Sequence, residues 1–288
     1  MGISLSVYDL PVRDLLDLAV AADEFGFEGI WLGEHLVLPH GYASEHPTAG
    51  LSGHQHHTGP IIDPSTELVD PMAALSAAGA YTTRLKLATG IYILPLRHPL
   101  VTARAACTVQ EIAGGRFMLG VGAGWLEEEF AALDVPFAER GSRLDESLEV
   151  MRAAWSGGPF EHHGTHFDFG PVQVTPRPVT VPIVLGGNSD RALRRAVRLG
   201  DTWFSSGTPS FEDALGLRDR IAALSVEYGR TTPLQTYFRI PQADPRLLRS
   251  YAAEGLTDLV VWADQIWPKG DLATKRRTLA EAAQTLGL

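Results

Sequence analysis

The sequence predicts a (β/α)8 barrel, an α/β fold in one domain over 1–288, and three observations predict it. Eight short apolar runs alternate with helical patterns along the chain, the order that builds a parallel sheet covered by helices. The clearest unit lies at 85–125: a buried strand over 85–91, a helix over 97–112, and a buried strand over 117–121 ending in Gly122-Ala123-Gly124. Strand, crossover helix, strand requires parallel neighbours joined right-handedly. A chain of 288 residues with 45% hydrophobic content is also long enough for one barrel core.

The first strand is 3–7, followed by a helix over 11–25 with Pro11 in its first turn and Leu15, Leu18, Ala19 and Ala22 at helical spacing. Gly26 stops that helix, and a second strand over 29–32 delivers Gly33-Glu34-His35 to a long loop, 37–67, rich in Pro, Gly and His. Loops of that length in compact domains are lids or binding loops, so a mobile lid is expected. Helices follow over 70–81, 125–133 and 141–155, with the 85–125 unit among them. Alternating aromatic and polar residues around Gly164 predict a small hairpin within 158–176, inserted before the fifth barrel strand. Strands over 182–185, 201–205, 234–240 and 259–262 alternate with helices over 190–199, 211–228, 245–254 and 272–286 to complete the series.

A formal net charge of −10 argues against nucleic acid and anionic membrane as partners, since both reward basic surface. No run of about 18 apolar residues marks a transmembrane span. The first residues lack the pattern of a secretory signal, and the single cysteine, Cys107, precludes an intrachain disulfide, so a reducing cytoplasmic location is expected. Cys107 falls among small residues in mid-helix and reads as packing.

Barrel active sites lie at the C-terminal ends of the strands, so strand-end residues form the shortlist. Tyr8 follows the first strand, Glu34 and His35 the second, and Thr89-Gly90-Ile91 ends the third. Gly122-Ala123-Gly124-Trp125 follow the fourth, Gly186-Gly187-Asn188-Ser189 the fifth, Ser205 and Ser206 the sixth, while Arg239 ends the seventh. Glycines at the tips let a flat, flavin-like ring approach the backbone. The pattern at 120–124 is not a dinucleotide fingerprint, because the required glycine at 125 is Trp125. Gly186-Gly187-Asn188-Ser189 reads either as a phosphate site at the mouth of the next helix or as an ordinary turn with Asn188 or Ser189 as N-cap.

His35 is the acid/base candidate, or else a hydrogen-bonded structural histidine; Glu34 orients it or bonds to a cofactor. Arg97 pairs with a cofactor phosphate or caps the loop at the surface. Trp125 stacks on substrate, closes the pocket floor, or is core. His54, His56 and His57, with His40 and His46, lie in a loop without cysteine or acids at ligand spacing; a solvated lid fits better than a metal site, so no metal is expected. His162, His163 and His166 read the same way.

Four stretches together resemble the luciferase-like monooxygenase superfamily, in its branch of deazaflavin (coenzyme F-420)-dependent oxidoreductases: GFEGIWLGEH, DPMAALSAAGAYTTRLKLATGIYILPLRHP, GGRFMLGVGAGWLEEEFAALDVPFAERGSRLDE and VPIVLGGNSDRALRRAVRLGDTW. The resemblance implies a luciferase-like TIM barrel, often a homodimer, with a non-prolyl cis peptide at Gly90–Ile91 beside the cofactor ring. It implies a phosphate end near Gly186-Gly187-Asn188, and it matches an acid–histidine pair to Glu34 and His35. Trp125 stands where a sugar-phosphate dehydrogenase branch carries glutamate, and Pro39 where that branch carries tryptophan, so its catalytic set and substrate do not transfer. The expected function is hydride transfer between reduced coenzyme F-420, an 8-hydroxy-5-deazaflavin, and a small organic substrate. The alternatives are FMN-dependent monooxygenation with oxygen, a flavin-binding protein without turnover, and, least supported, a metal-dependent hydrolase.

Overall fold

A computed structural model of the chain describes residues 1–47, 63–175 and 180–288. Its eleven described strands are β1 (Gly2–Val7), β2 (Gly29–Leu32), β3 (Lys86–Thr89), β4 (Tyr92–Ile93), β5 (Phe117–Gly122), β6 (Phe160–His163), β7 (Asp168–Val172), β8 (Ile183–Gly186), β9 (Thr202–Phe204), β10 (Gln235–Arg239) and β11 (Asp258–Trp262). Nine form one parallel sheet in the order β3-β2-β1-β11-β10-β9-β8-β5-β4, and a further pairing of β3 with β5 closes eight of them into the expected barrel. The helices are α1 (Val12–Phe25), α2 (Pro71–Tyr81), α3 (Pro99–Ile112), α4 (Glu127–Ala132), α5 (Arg140–Ser156), α6 (Asp190–Leu199), α7 (Phe211–Glu227), α8 (Pro245–Ala253) and α9 (Leu272–Leu286).

Alternation along each strand divides the core in two. Inward residues Trp31, Ala88, Met118, Val184, Phe204, Tyr237 and Val260 fill the barrel, with the Trp31 and Phe204 rings stacked at 4.4 Å. Outward residues such as Ile30, Leu87, Leu119, Leu185 and Val261 pack under the helices. Cys107 is buried in α3.

The third strand departs from expectation at its tip. It stops at Thr89, the Gly90–Ile91 peptide is cis, and the chain resumes as β4 against the upper end of β5. Between the pairs Ala88–Met118 and Tyr92–Val121 the β3–β4 side advances four residues and β5 three. The extra residue is a bulge, which lifts residues 89–91 out of the ladder as a ledge. α3 begins at Pro99 rather than 97, because proline holds His98 extended at φ −74°, ψ 128°. β6 and β7 pair antiparallel as a separate two-stranded sheet, where the hairpin is expected.

Candidate active site

A cavity of about 950 Å³ opens at the C-terminal ends of the strands. Tyr8, Glu34, His35, Gly90, Ile91 and Trp125 line it, with Gly122, Ala123 and Gly124 beside them. Gly186, Gly187, Asn188 and Ser189 line its outer side, and Phe204 belongs to its floor. Thr89 does not line it: the side chain is fully buried and its hydroxyl donates to the Gly120 carbonyl at 2.6 Å, bracing β3 on β5.

Two of the strand-tip glycines that line the cavity also make room for the ledge. A Cβ on Gly122 would stand 1.9 Å from Ile91 Cδ1, one on Gly186 3.0 Å from Ile91 Cγ2, and one on Gly90 3.0 Å from Trp31 Cβ. The missing side chains of Gly122 and Gly186 are the space in which Ile91 sits, and that of Gly90 lets the ledge lie against Trp31. Ile91 itself, half-buried, presents the surface to the cavity.

His35 is held by Glu129, not by Glu34. Nδ1 lies 3.0 Å from Glu129 Oε2, and the other carboxylate oxygen accepts the N–H groups of Leu36 and Val37. Glu129 is fully buried, and an acceptor-only carboxylate requires Nδ1–H as donor. Nε2 of a neutral His35 is then the basic nitrogen. The His35 side chain is 6% exposed, with the Trp125 ring edge-on at 5.7 Å and Tyr8 at 6.4 Å. Burial pushes the Tyr8 hydroxyl up, and the Glu129 charge adds to the shift. Glu128 fastens the next stretch of loop: it accepts from the N–H of Ala43 at 2.6 Å and the Ser44 hydroxyl at 2.7 Å, which hold its carboxyl down to about 2.

Glu34 has other work. Its carboxylate takes the Arg97 guanidinium at 2.7 and 2.8 Å and the Ile93 N–H at 2.8 Å, tying β4 to the tip of β2. Burial raises this carboxyl while Arg97 and the Ile93 N–H oppose the shift. Arg97 is thus engaged within the protein: besides Glu34 it lies 3.9 Å over the Tyr92 ring.

Asn188 and Ser189 are likewise engaged by the protein. Asn188 exchanges hydrogen bonds of 2.8 Å with the Ser206 carbonyl and N–H, and Ser189 caps α6 through the Ala192 N–H at 3.3 Å. Gly187, at φ +112°, brings the turn close to α6: a Cβ there would stand 2.8 Å from that of Ala192. Beside this turn Arg140 and Arg191 line the cavity, and neither forms an ion pair among the described residues. Burial, then the neighbouring Arg191 charge, lowers the Arg140 guanidinium.

Of the histidine cluster, His54, His56 and His57 lie outside the described residues. Tyr42 and His46 from the expected lid pack edge-on to Trp125 at 6.0 and 5.0 Å. His162 and His163 are bound to Glu146 and Asp168, and His166 to Ser142. Among the described residues no group of three His, Cys, Asp or Glu is placed to hold a metal, and no helix is long and apolar enough to cross a membrane.

Residues 3–242 match the family profile described as luciferase-like monooxygenase. An F420-dependent glucose-6-phosphate dehydrogenase of Beutenbergia cavernae is 31% identical over 206 residues, covering 70% of this chain and 54% of its own. A 4-hydroxyprotoasukamycin monooxygenase of Streptomyces nodosus subsp. asukaensis is 29% identical over 232 residues, 76% of this chain and 55% of its own. This chain thus spans just over half of each. The crystal structure of monooxygenase RslO1 from Streptomyces bottropensis superposes with a TM-score of 0.73 at 21% identity, over 99% of this chain and 98% of its own, a likeness of fold. With its closed parallel barrel and a profile match over most of its length, the chain belongs to the luciferase-like monooxygenase family.

Proposed function

We propose that the protein transfers a hydride between reduced coenzyme F-420 and a small organic substrate. The observation that carries this reading is the buried His35–Glu129 pair, set in the cavity that the Gly90–Ile91 ledge lines. The residues present fit a tricyclic ring with a phosphate arm: Ile91 gives a flat apolar support, and beside the α6 N-terminus Arg140 and Arg191 supply two cations that form no ion pair among the described residues. When bound, a deazaflavin supplies the hydride chemistry; the protein supplies position and protons. Glu129 fixes the tautomer of His35, so that Nε2 takes or gives the proton that accompanies hydride movement. Glu34 and Arg97 hold the ledge, and Trp125, with Tyr42 and His46 against it, screens the mouth from water.

The test is titration of oxidised F-420 and of FMN against tryptophan fluorescence, followed by His35→Ala. Saturable quenching by F-420, and a His35→Ala protein that binds F-420 but no longer turns it over with a substrate, is the expected result. Tight quenching by FMN alone would instead favour flavin-dependent monooxygenation, since both rings share shape and phosphate and differ at the N5 position where oxygen chemistry begins.

A further inference from the structure

Arg239 is a buried cation that nothing among the described residues neutralises. It ends β10, is 6% exposed, and lines the cavity. Its guanidinium lies between two aromatic faces, 4.3 Å from the Trp262 ring centroid and 4.8 Å from that of Phe204. Of five N–H donors, one reaches the Gly207 carbonyl at 3.2 Å and one the Ser6 hydroxyl at 3.1 Å, while Nε has no partner. No carboxylate is within ion-pair distance among the described residues. Aromatic faces offset only part of the cost of burying a charge, and carbonyl and hydroxyl oxygens do not cancel it. Burial alone lowers this guanidinium, to about 9, which leaves it charged at neutral pH.

Its place in the barrel says which molecule it meets. Around the closed sheet β10 is four strands from β3 in either direction, so Arg239 stands across the mouth from the Gly90–Ile91 ledge. The features that fit a cofactor, the ledge and Arg140 with Arg191, lie on or beside β3, β5 and β8. Arg239, Ser6 and Trp262 belong to β10, β1 and β11. A ring held on the ledge would have these residues on the opposite side of the mouth.

We infer that Arg239 is a specificity-determining residue and that the substrate is a small organic acid whose carboxylate or enolate oxygens it binds between Phe204 and Trp262. This rests on the functional reading above for the side on which the cofactor lies. The binding of the anion itself is testable without cofactor.

The test is isothermal titration of the cofactor-free chain with sodium benzoate and with benzamide, a neutral molecule of the same shape. Benzoate should bind at least tenfold more tightly. Arg239→Met should bring benzoate down to the benzamide level, and Arg239→Lys, which keeps the charge but not the planar fork, should fall between. The affinity for oxidised F-420 should change less than twofold in Arg239→Met, and benzoate should still bind the F-420-loaded protein. Equal affinity for benzoate and benzamide in the wild type overturns the inference, and this arm holds even if a variant fails to fold. Unchanged benzoate binding in Arg239→Met also overturns it. Mutual exclusion of benzoate and oxidised F-420 would assign Arg239 to the cofactor and overturn it too. If neither FMN nor F-420 binds but benzoate binds through Arg239, the redox reading fails while this one stands.

Discussion

At the scale of single residues, the site depends on a contact that adjacency in sequence hides. Glu34 and His35 are neighbours, and neighbours in extended backbone point to opposite sides, so a pair that looks coupled is divided by geometry. His35 turns to Glu129, 94 positions away, and Glu34 to Arg97. Nothing in the run Glu127-Glu128-Glu129 marks the third as the buried one; only the angle at which α4 leaves the barrel does. Two predictions belong here. Glu129→Gln keeps the shape but removes the charge that fixes the His35 tautomer, so turnover should fall by roughly 10- to 100-fold with F-420 affinity nearly unchanged, read from kcat and fluorescence titration together. Arg97→Met should strand a carboxylate that is almost wholly buried, costing about 3–5 kcal/mol in denaturant unfolding, and should weaken cofactor binding as the ledge loosens.

Among the elements, the regular ones were legible and the irregular ones were not. Periodicity finds α1, α6 and the barrel strands within a residue or two, because each has one apolar face and a proline, serine or glycine at its ends. The bulge after Thr89 leaves no such mark, since both sides of it are apolar and buried. The β6–β7 hairpin was readable from alternation, yet its attachment, centred on one carboxylate of α5, was not. Glu146 accepts the N–H groups of Thr165, His166 and Phe167 at 3.2, 3.0 and 2.8 Å and pairs with His162 at 3.1 Å. A Cβ on Gly164 would stand 2.1 Å from Glu146 Oε1, so the turn needs glycine to sit on this carboxylate. Burial would raise the Glu146 carboxyl, but the Phe167 and His166 N–H groups and His162 bring it below the ordinary range. A depressed folded-state value means the stabilisation is whole above the unfolded carboxyl value of about 4.3 and is lost as pH falls through the lower folded one. Glu146→Ala should therefore lower the melting temperature at pH 7 by the equivalent of about 2 kcal/mol, and the gap from wild type should close toward pH 3. Amide exchange at 165–167 should quicken in the variant, while the barrel strands keep their protection.

Across the whole molecule, the two ends of the barrel do different work. The upper end gathers buried charges: Glu129 on His35, Glu34 on Arg97, and Arg239 with only aromatic faces and neutral oxygens. The lower end is bound by hydrogen bonds at the seam where the sheet closes. Arg116, just before β5, donates to the Gly79 and Thr82 carbonyls at 2.9 and 2.8 Å, to the Leu85 carbonyl at 2.6 Å and to the Thr82 hydroxyl at 2.9 Å. One guanidinium thus joins the end of α2 to the starts of β3 and β5, the seam at which the sheet closes and where the ladder has only two registered pairs below the bulge. The adjoining carboxylate Asp23 accepts the N–H groups of Thr83, Arg84 and Leu85 at 2.8, 2.9 and 2.7 Å. That a barrel closes was legible from eight alternations; which bonds close it was not, because Arg116 reads from sequence as one more charge after a glycine pair. Arg116→Met leaves several carbonyls short of a donor, a loss of about 3 kcal/mol, and at roughly 2–4 °C per kcal/mol for a chain of this size the melting temperature should fall by about 6–12 °C. F-420 affinity and the benzoate affinity assigned to Arg239 should stay within twofold at 25 °C, because no group of the upper end touches Arg116. Loss of ligand binding in proportion to the loss of stability would show instead that the closing seam and the ledge above it move as one piece.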